Sequence, residues 1–132
     1  MMTGPLSPRA HGFLDYGASV VVALAPSLFD FGGLPATLCY LFAVALFVMS
    51  LLTAYPLGAL KLIPFPAHGM VEAASSLFLL LAPFLLGFSR EVSARNFFVI
   101  AGLALGVVFL VTNYRAAERP RQGGMARRRT YA

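Results

Sequence analysis

Charge is the scarcest commodity in this sequence. Only 11% of its 132 residues are Asp, Glu, Lys or Arg, against about 25% in a soluble domain. So few charges leave a water-facing surface uncovered, and lipid is the expected solvent for most of the chain. Tryptophan is absent, so any aromatic belt at a membrane interface falls to Tyr and Phe. The single cysteine, Cys39, excludes an internal disulfide framework. Its place within an apolar run reads as a small packing residue rather than a reactive thiol. No nucleophile–base–orienter set, phosphate loop or dinucleotide fingerprint occurs. The net charge of +5 comes mostly from residues 115–132. It marks an end rather than a basic face and argues against nucleic acid as a partner.

What the chain has instead is long apolar runs. It is 59% hydrophobic, with a mean hydropathy of +0.80. Four runs stand out, at about residues 10–29, 36–55, 67–86 and 96–114. Each approaches the ~20 residues that a helix needs to cross a bilayer. They are too long, and too uniformly apolar, for membrane strands. Ala23-Leu24-Ala25 resembles a leader-cleavage site, but the first run is matched within the chain, which a disposable leader has no reason to be. Pro26 and Pro83 fall near the ends of runs one and three, where they should kink or terminate a helix. The remainder is a loose lead-in (1–9), a Pro-rich link (56–66) with Lys61, a polar loop (87–95) and a basic tail (115–132).

The match is an internal duplication. Ala10-His11-Gly12-Phe13-Leu14-Asp15 returns as Ala67-His68-Gly69-Met70-Val71-Glu72, an offset of 57. Later the offset is 59, where Thr53-Ala54-Tyr55 matches Thr112-Asn113-Tyr114. Repeat one (10–55) and repeat two (67–114) each hold two runs. The expected architecture is therefore all-α: a polytopic membrane four-helix bundle made of two tandem two-helix repeats. Two-span repeats insert in one direction, so their relating axis lies along the membrane normal. The side holding the termini and the link carries Arg9, Lys61 and six tail arginines, and the other side only Arg90 and Arg95. The positive-inside rule then puts both termini in the cytoplasm.

The duplicated motif carries the polar residues worth singling out. His11 and Asp15 are four apart, as are His68 and Glu72, so each pair shares one helix face. A carboxylate one turn into a membrane helix is costly unless paired or wet. Pseudo-symmetry would bring both pairs together near the cytoplasmic face. The plainest reading is a satisfied polar latch, with Gly12 and Gly69 admitting a neighbouring helix. A ligand site (a divalent metal, haem between two imidazoles, or a quinone) and a proton or ion relay are the alternatives. Tyr55 and Tyr114 are read first as interfacial anchors; otherwise their hydroxyls reach the pairs. Tyr16, beside Asp15 but replaced by Ala73 in repeat two, is a further secondary candidate. Ser19 and Ser76 should bond back to helix carbonyls. Asn96 should cap the fourth helix, and Gly102 and Gly106 should pack within the bundle. Arg115, Arg119, Arg121, Arg127, Arg128 and Arg129 should set topology and contact anionic lipid.

Leu81-Ala82-Pro83-Phe84-Leu85-Leu86-Gly87-Phe88-Ser89, with Ala94-Arg95-Asn96 after it and Arg9 to Tyr16 at the start, resembles the SPW-repeat family of small bacterial integral membrane proteins. The resemblance covers about residues 9–114. Of the Ser-Pro-Trp signature, Ala25-Pro26-Ser27 and Ala82-Pro83-Phe84 keep only the proline. It implies a two-span membrane repeat in a bacterial inner membrane and brings no activity or catalytic residues. The expected function is that of a non-enzymatic membrane protein without a cofactor, an accessory subunit of a larger complex or a homo-oligomer. The runner-up is a ligand-, metal- or haem-binding or proton-handling protein built on His11, Asp15, His68 and Glu72.

Overall fold

A computed structural model of the chain describes residues 4–118. It has four long α-helices, α1 (Pro8–Leu28), α2 (Gly33–Leu52), α3 (Phe65–Leu85) and α4 (Val92–Val111), then a short 3-10 turn, Tyr114–Glu118. Among the described residues there is no strand, only two isolated bridges. The all-α four-helix architecture expected from the sequence is the fold. Its duplication is visible in the helix ends: α1 and α3 begin and end 57 residues apart, α2 and α4 59 apart. The two additional residues of the second repeat lie in the α3–α4 loop.

Local chemistry sets the boundaries. Helix α1 starts at Pro8, two residues before the apolar run, because proline fits the first turn and the Ser7 side chain accepts the Ala10 N–H at 3.2 Å. Helix α3 starts the same way, with Pro66 in its first turn. Pro26 and Pro83 sit in the last turns, and their carbonyls accept N–H bonds from Phe31 and Phe88 at 3.0 Å. The chain then reverses through a left-handed residue, Gly87 (φ 83°) in repeat two but Asp30 (φ 53°) in repeat one. Left-handed backbone strains any residue with a Cβ. Asp30→Gly should therefore raise stability by about 1 kcal/mol, read as a higher unfolding midpoint in detergent; an unchanged or lower midpoint contradicts it.

Helices α2 and α4 stop at Leu52 and Val111, three residues short of the expected ends, because Thr53 and Thr112 turn extended (ψ 140° and 139°). Each then pairs with the residue that leads into a neighbouring helix. The Ile63 N–H donates to Leu52 O (2.8 Å), and Ala54 N–H donates to Ile63 O (2.7 Å). The second repeat reproduces this: Leu6 N–H to Val111 O (2.9 Å) and Asn113 N–H to Leu6 O (2.8 Å). These two stitches tie α2 to α3 and α4 back to α1, all at one end of the bundle. The lead-in, expected to be loose, is thus docked from residue 4 onward. Helix α4 begins at Val92, ahead of the expected 96, with Glu91 as its cap; Asn96 caps nothing and accepts from Arg95 instead.

The helices are inverted relative to a soluble bundle. Large apolar side chains such as Phe13, Leu28, Leu41, Leu85 and Ile100 face outward, whereas His11, Asp15, Ser19, His68, Glu72 and Ser76 are buried. Helices α2, α3 and α4 are long and apolar enough to cross a membrane, with mean hydropathies of 2.1, 1.4 and 2.1. Helix α1, expected as a fourth span, is as long but falls outside that group. Its His11, Asp15 and Ser19 lower its hydropathy, yet these are its buried residues, and its outward face is Phe13, Leu14, Val20, Val21, Leu24 and Leu28. Away from the stitched end, the core is Val22, Cys39, Ala43, Leu79, Ala82, Phe88, Ala94 and Phe98. Gly102 and Gly106 pack against α3 inside the bundle. Ser19 bonds back to its own helix at Tyr16 O (2.7 Å), but Ser76 crosses to Gly102 O (2.7 Å).

Candidate functional site

The stitches decide what meets what. They draw the first turns of α1 and α3 together with the segments following α2 and α4. The two His-Gly motifs converge, and the imidazoles of His11 and His68 stand edge to face at 5.4 Å. Asp15 lies between them, Oδ1 3.3 Å from His11 Nε2 and Oδ2 3.2 Å from His68 Nε2. Glu72 Oε2 is 3.3 Å from His11 Nε2. All four side chains are at most 4% exposed. The expected His11–Asp15 pair forms. The His68–Glu72 pair does not: His68 faces Asp15, and Glu72 crosses to His11. Glutamate is one methylene longer, so its carboxylate reaches past its own helix face.

Two threonines fix the imidazoles. His68 Nδ1 bonds Thr53 Oγ1 at 2.7 Å, and His11 Nδ1 bonds Thr112 Oγ1 at 2.8 Å. Each hydroxyl also donates to its own helix, Thr53 to Met49 O (2.6 Å) and Thr112 to Val108 O (2.5 Å). A hydroxyl has one proton. With that proton given to a carbonyl, the threonine accepts from Nδ1–H, and both imidazoles are held in one tautomer. In the sequence these threonines stand out only as matched helix ends. The usable signal was a polar residue kept at the same place in both repeats.

Two tyrosines hold the acids. Tyr55 donates to Asp15 Oδ2 (3.1 Å) and Tyr114 to Glu72 Oε2 (2.5 Å). Their exposures of 2% and 0% correct the first expectation, interfacial anchoring: the extended turn after each helix swings the ring inward. Both lie beyond the helix ends. Burial pushes both phenols above their ordinary pKa, and the carboxylate beside each adds to this, so both stay protonated donors. Tyr16 does not join them; its hydroxyl bonds Leu57 O in the link at 2.9 Å. The space over Gly12 is taken by the Leu57 side chain of the link, not by a helix, and that over Gly69 by the ring of Tyr114, which opens the short 3-10 turn. Phe65, unforeseen, is 1% exposed and lies against His11, His68, Tyr55 and Tyr114 at centroid distances of 4.7–5.9 Å.

Two atoms in this packed centre have no hydrogen-bond partner among the described residues: His11 Nε2 and Glu72 Oε1. An apolar cavity of about 480 Å³, walled by residues such as Phe13, Leu14, Val21 and Leu46, touches Asp15 and Glu72. His11, Asp15 and His68 offer ligand atoms within 4.8 Å of one another, with Glu72 beside them. Of the tail arginines, Arg115 is exposed at the same end of the bundle; Arg119, Arg121, Arg127, Arg128 and Arg129 lie outside the described residues.

The fold and site together define an all-helical protein, three of its helices apolar enough to span a membrane, with one buried histidine–carboxylate centre. Comparison with known proteins finds no matching family model, no similar curated protein and no similar solved structure. The chemistry of the centre rests on its own geometry.

Proposed function

We propose that this is a small, non-enzymatic integral membrane protein of bacterial inner-membrane type, related to the SPW-repeat proteins, that holds a ligand at the buried His11–Asp15–His68–Glu72 centre. In this reading α1 is the fourth span, because its outward face is as apolar as those of its neighbours. Both termini and the centre lie toward the cytoplasm, in accord with the excess of Lys and Arg on that side.

One observation supports a ligand centre over a self-contained latch. A latch satisfies the groups it buries. Here Nδ1 of each imidazole is already committed to a threonine, each Nε2 stands 3.2–3.3 Å from a carboxylate oxygen, and His11 Nε2 and Glu72 Oε1 have no hydrogen-bond partner among the described residues; with neutral imidazoles this sets acceptor against acceptor. Groups so arranged gain from something positive or proton-donating placed among them.

Asp15→Asn tests this. If Asp15 is half of a buried ion pair, removing its charge should cost about 3–5 kcal/mol. If the centre awaits a ligand, an asparagine amide can donate toward a lone pair and still accept from Tyr55, and ligand-free stability should move by less than about 1 kcal/mol. Unfolding of the purified protein in detergent with chelator present reads the difference. A loss in the larger range would return the accessory, packing-only role to first place.

A further inference from the structure

We propose that the ligand is a divalent metal ion of zinc type, held by His11 Nε2, His68 Nε2 and an Asp15 oxygen, with Glu72, whose Oε2 is 3.3 Å from His11 Nε2, swinging in as the fourth ligand. This rests on the ligand-centre reading above and makes it specific.

The first ground is distance. Zinc binds imidazole nitrogen and carboxylate oxygen at about 2.0–2.1 Å, so ligand atoms around a tetrahedral ion stand about 3.3–3.4 Å apart. The three short nitrogen–oxygen separations in the centre are 3.2 Å (His68 to Asp15 Oδ2), 3.3 Å (His11 to Asp15 Oδ1) and 3.3 Å (His11 to Glu72 Oε2), so either Asp15 oxygen stands at ligand spacing from one imidazole, and ligand atoms of His11, Asp15 and His68 all lie within 4.8 Å of one another. An imidazolium–carboxylate hydrogen bond would draw in to about 2.7–2.9 Å. The centre is not merely loosely packed, because the supporting bonds are short: 2.7 and 2.8 Å from the histidines to threonine, and 2.5 Å from Tyr114 to Glu72. Three of the four outer contacts are tight, the fourth, Tyr55 to Asp15, being 3.1 Å, and the inner ones keep the spacing that an ion needs.

The second ground is the supporting shell. A metal-bound imidazole donates its other N–H to a fixed acceptor, which sets the tautomer and the ring orientation, and bound carboxylates are themselves hydrogen-bonded. Both histidines have this support, from Thr53 and Thr112, and both acids have it, from Tyr55 and Tyr114. Of the two orphaned atoms, His11 Nε2 is a proposed ligand atom, and Glu72 Oε1 belongs to the carboxylate whose Oε2 lies 3.3 Å from it.

The third ground is charge. Two carboxylates buried at membrane depth are costly. Imidazoles in their neutral form do not offset them, whereas one divalent cation does, leaving a neutral centre. Lys61 gives its ammonium to Tyr55 O at 2.6 Å rather than to either acid. Two nitrogens and two oxygens suit zinc or a neighbouring first-row ion, whereas calcium and magnesium favour oxygen-only sites. A haem would need an open slot around the imidazoles, and the rings of Phe65, Tyr55 and Tyr114 occupy that ground.

The test uses the full chain purified in detergent. After chelation and gel filtration it is titrated with Zn(II), with Co(II) and with Mg(II). The expected result is about one Zn(II) per chain, an intense visible Co(II) spectrum of the tetrahedral kind, and no competition from Mg(II). His68→Gln should weaken zinc binding on the order of 100-fold, while elution volume and helical circular dichroism stay as in the parent chain. Should His68→Gln fail to fold, the Co(II) spectrum of the parent chain still decides: a tetrahedral spectrum supports the proposal, and an octahedral or absent one overturns it. No zinc bound in excess, or full binding retained by the His11→Gln, His68→Gln double variant, also overturns it. If zinc fails to bind while Asp15→Asn leaves stability unchanged, the metal falls and the ligand-centre reading stands. If Asp15→Asn also unfolds the protein, both fall.

Discussion

Phe65→Ala is expected to cost about 3–5 kcal/mol of stability, the range for deleting a fully buried phenylalanine. Phe65 is 1% exposed, and its ring lies against four others: His11 at 5.1 Å, Tyr55 at 5.3 Å, His68 at 5.9 Å and Tyr114 at 4.7 Å. It opens α3, just after the stitch at Ile63, so its loss removes packing where the two repeats are joined. Nothing in repeat one substitutes for it, because the matching position is Pro8. The cavity would form against polar rings, which do not close around it as aliphatic chains do. Chemical denaturation in detergent measures the loss, and Phe65→Leu should recover more than half of it. A cost below about 1 kcal/mol would mean that the aromatic cover is not what holds this end together.

Thr53→Val and Thr112→Val should affect the proposed metal centre more than the fold. Valine matches threonine in shape but accepts no hydrogen bond, so each change leaves a buried Nδ1–H without its acceptor. The stability cost should be about 1–3 kcal/mol per site, that of an unsatisfied buried donor. Zinc affinity should fall about 10–100-fold per site, as when an outer partner of a metal ligand is removed. The double variant should lose more than either alone. Ser19→Ala serves as a control: the serine is buried but its side chain bonds to its own helix, at Tyr16 O, and zinc affinity should not change. If the threonine variants lose stability but keep full affinity, Thr53 and Thr112 are packing partners and the imidazoles are oriented by something else.

Near-equivalent positions are not interchangeable here. The threonine–histidine and tyrosine–carboxylate bonds occur in both repeats, yet Asp15 touches both imidazoles and Glu72 only one. One carboxylate methylene separates the two acids chemically. Variants at Asp15 should therefore disturb the centre more widely than those at Glu72.

The sequence by itself determined the helices, their number, the duplication and the polar pairs. Apolar runs of bilayer length have one economical backbone solution, and the fixed offset reveals the repeat without coordinates. Spacing of four on a helix is local geometry, so His11 and Asp15 could be matched in advance. Only the tertiary structure decided the rest. Thr112 is 101 residues from His11, and Tyr55 is 40 from Asp15; no local rule joins them. They meet because two short extended stitches turn the ends of α2 and α4 inward, and backbone pairing of that kind leaves no periodicity to read. Those same turns moved Tyr55 and Tyr114 from the expected interface into the centre, and the greater reach of Glu72 exchanged its partner. Helix content follows from each segment's own chemistry, whereas a buried polar centre follows from which segments the chain brings into contact.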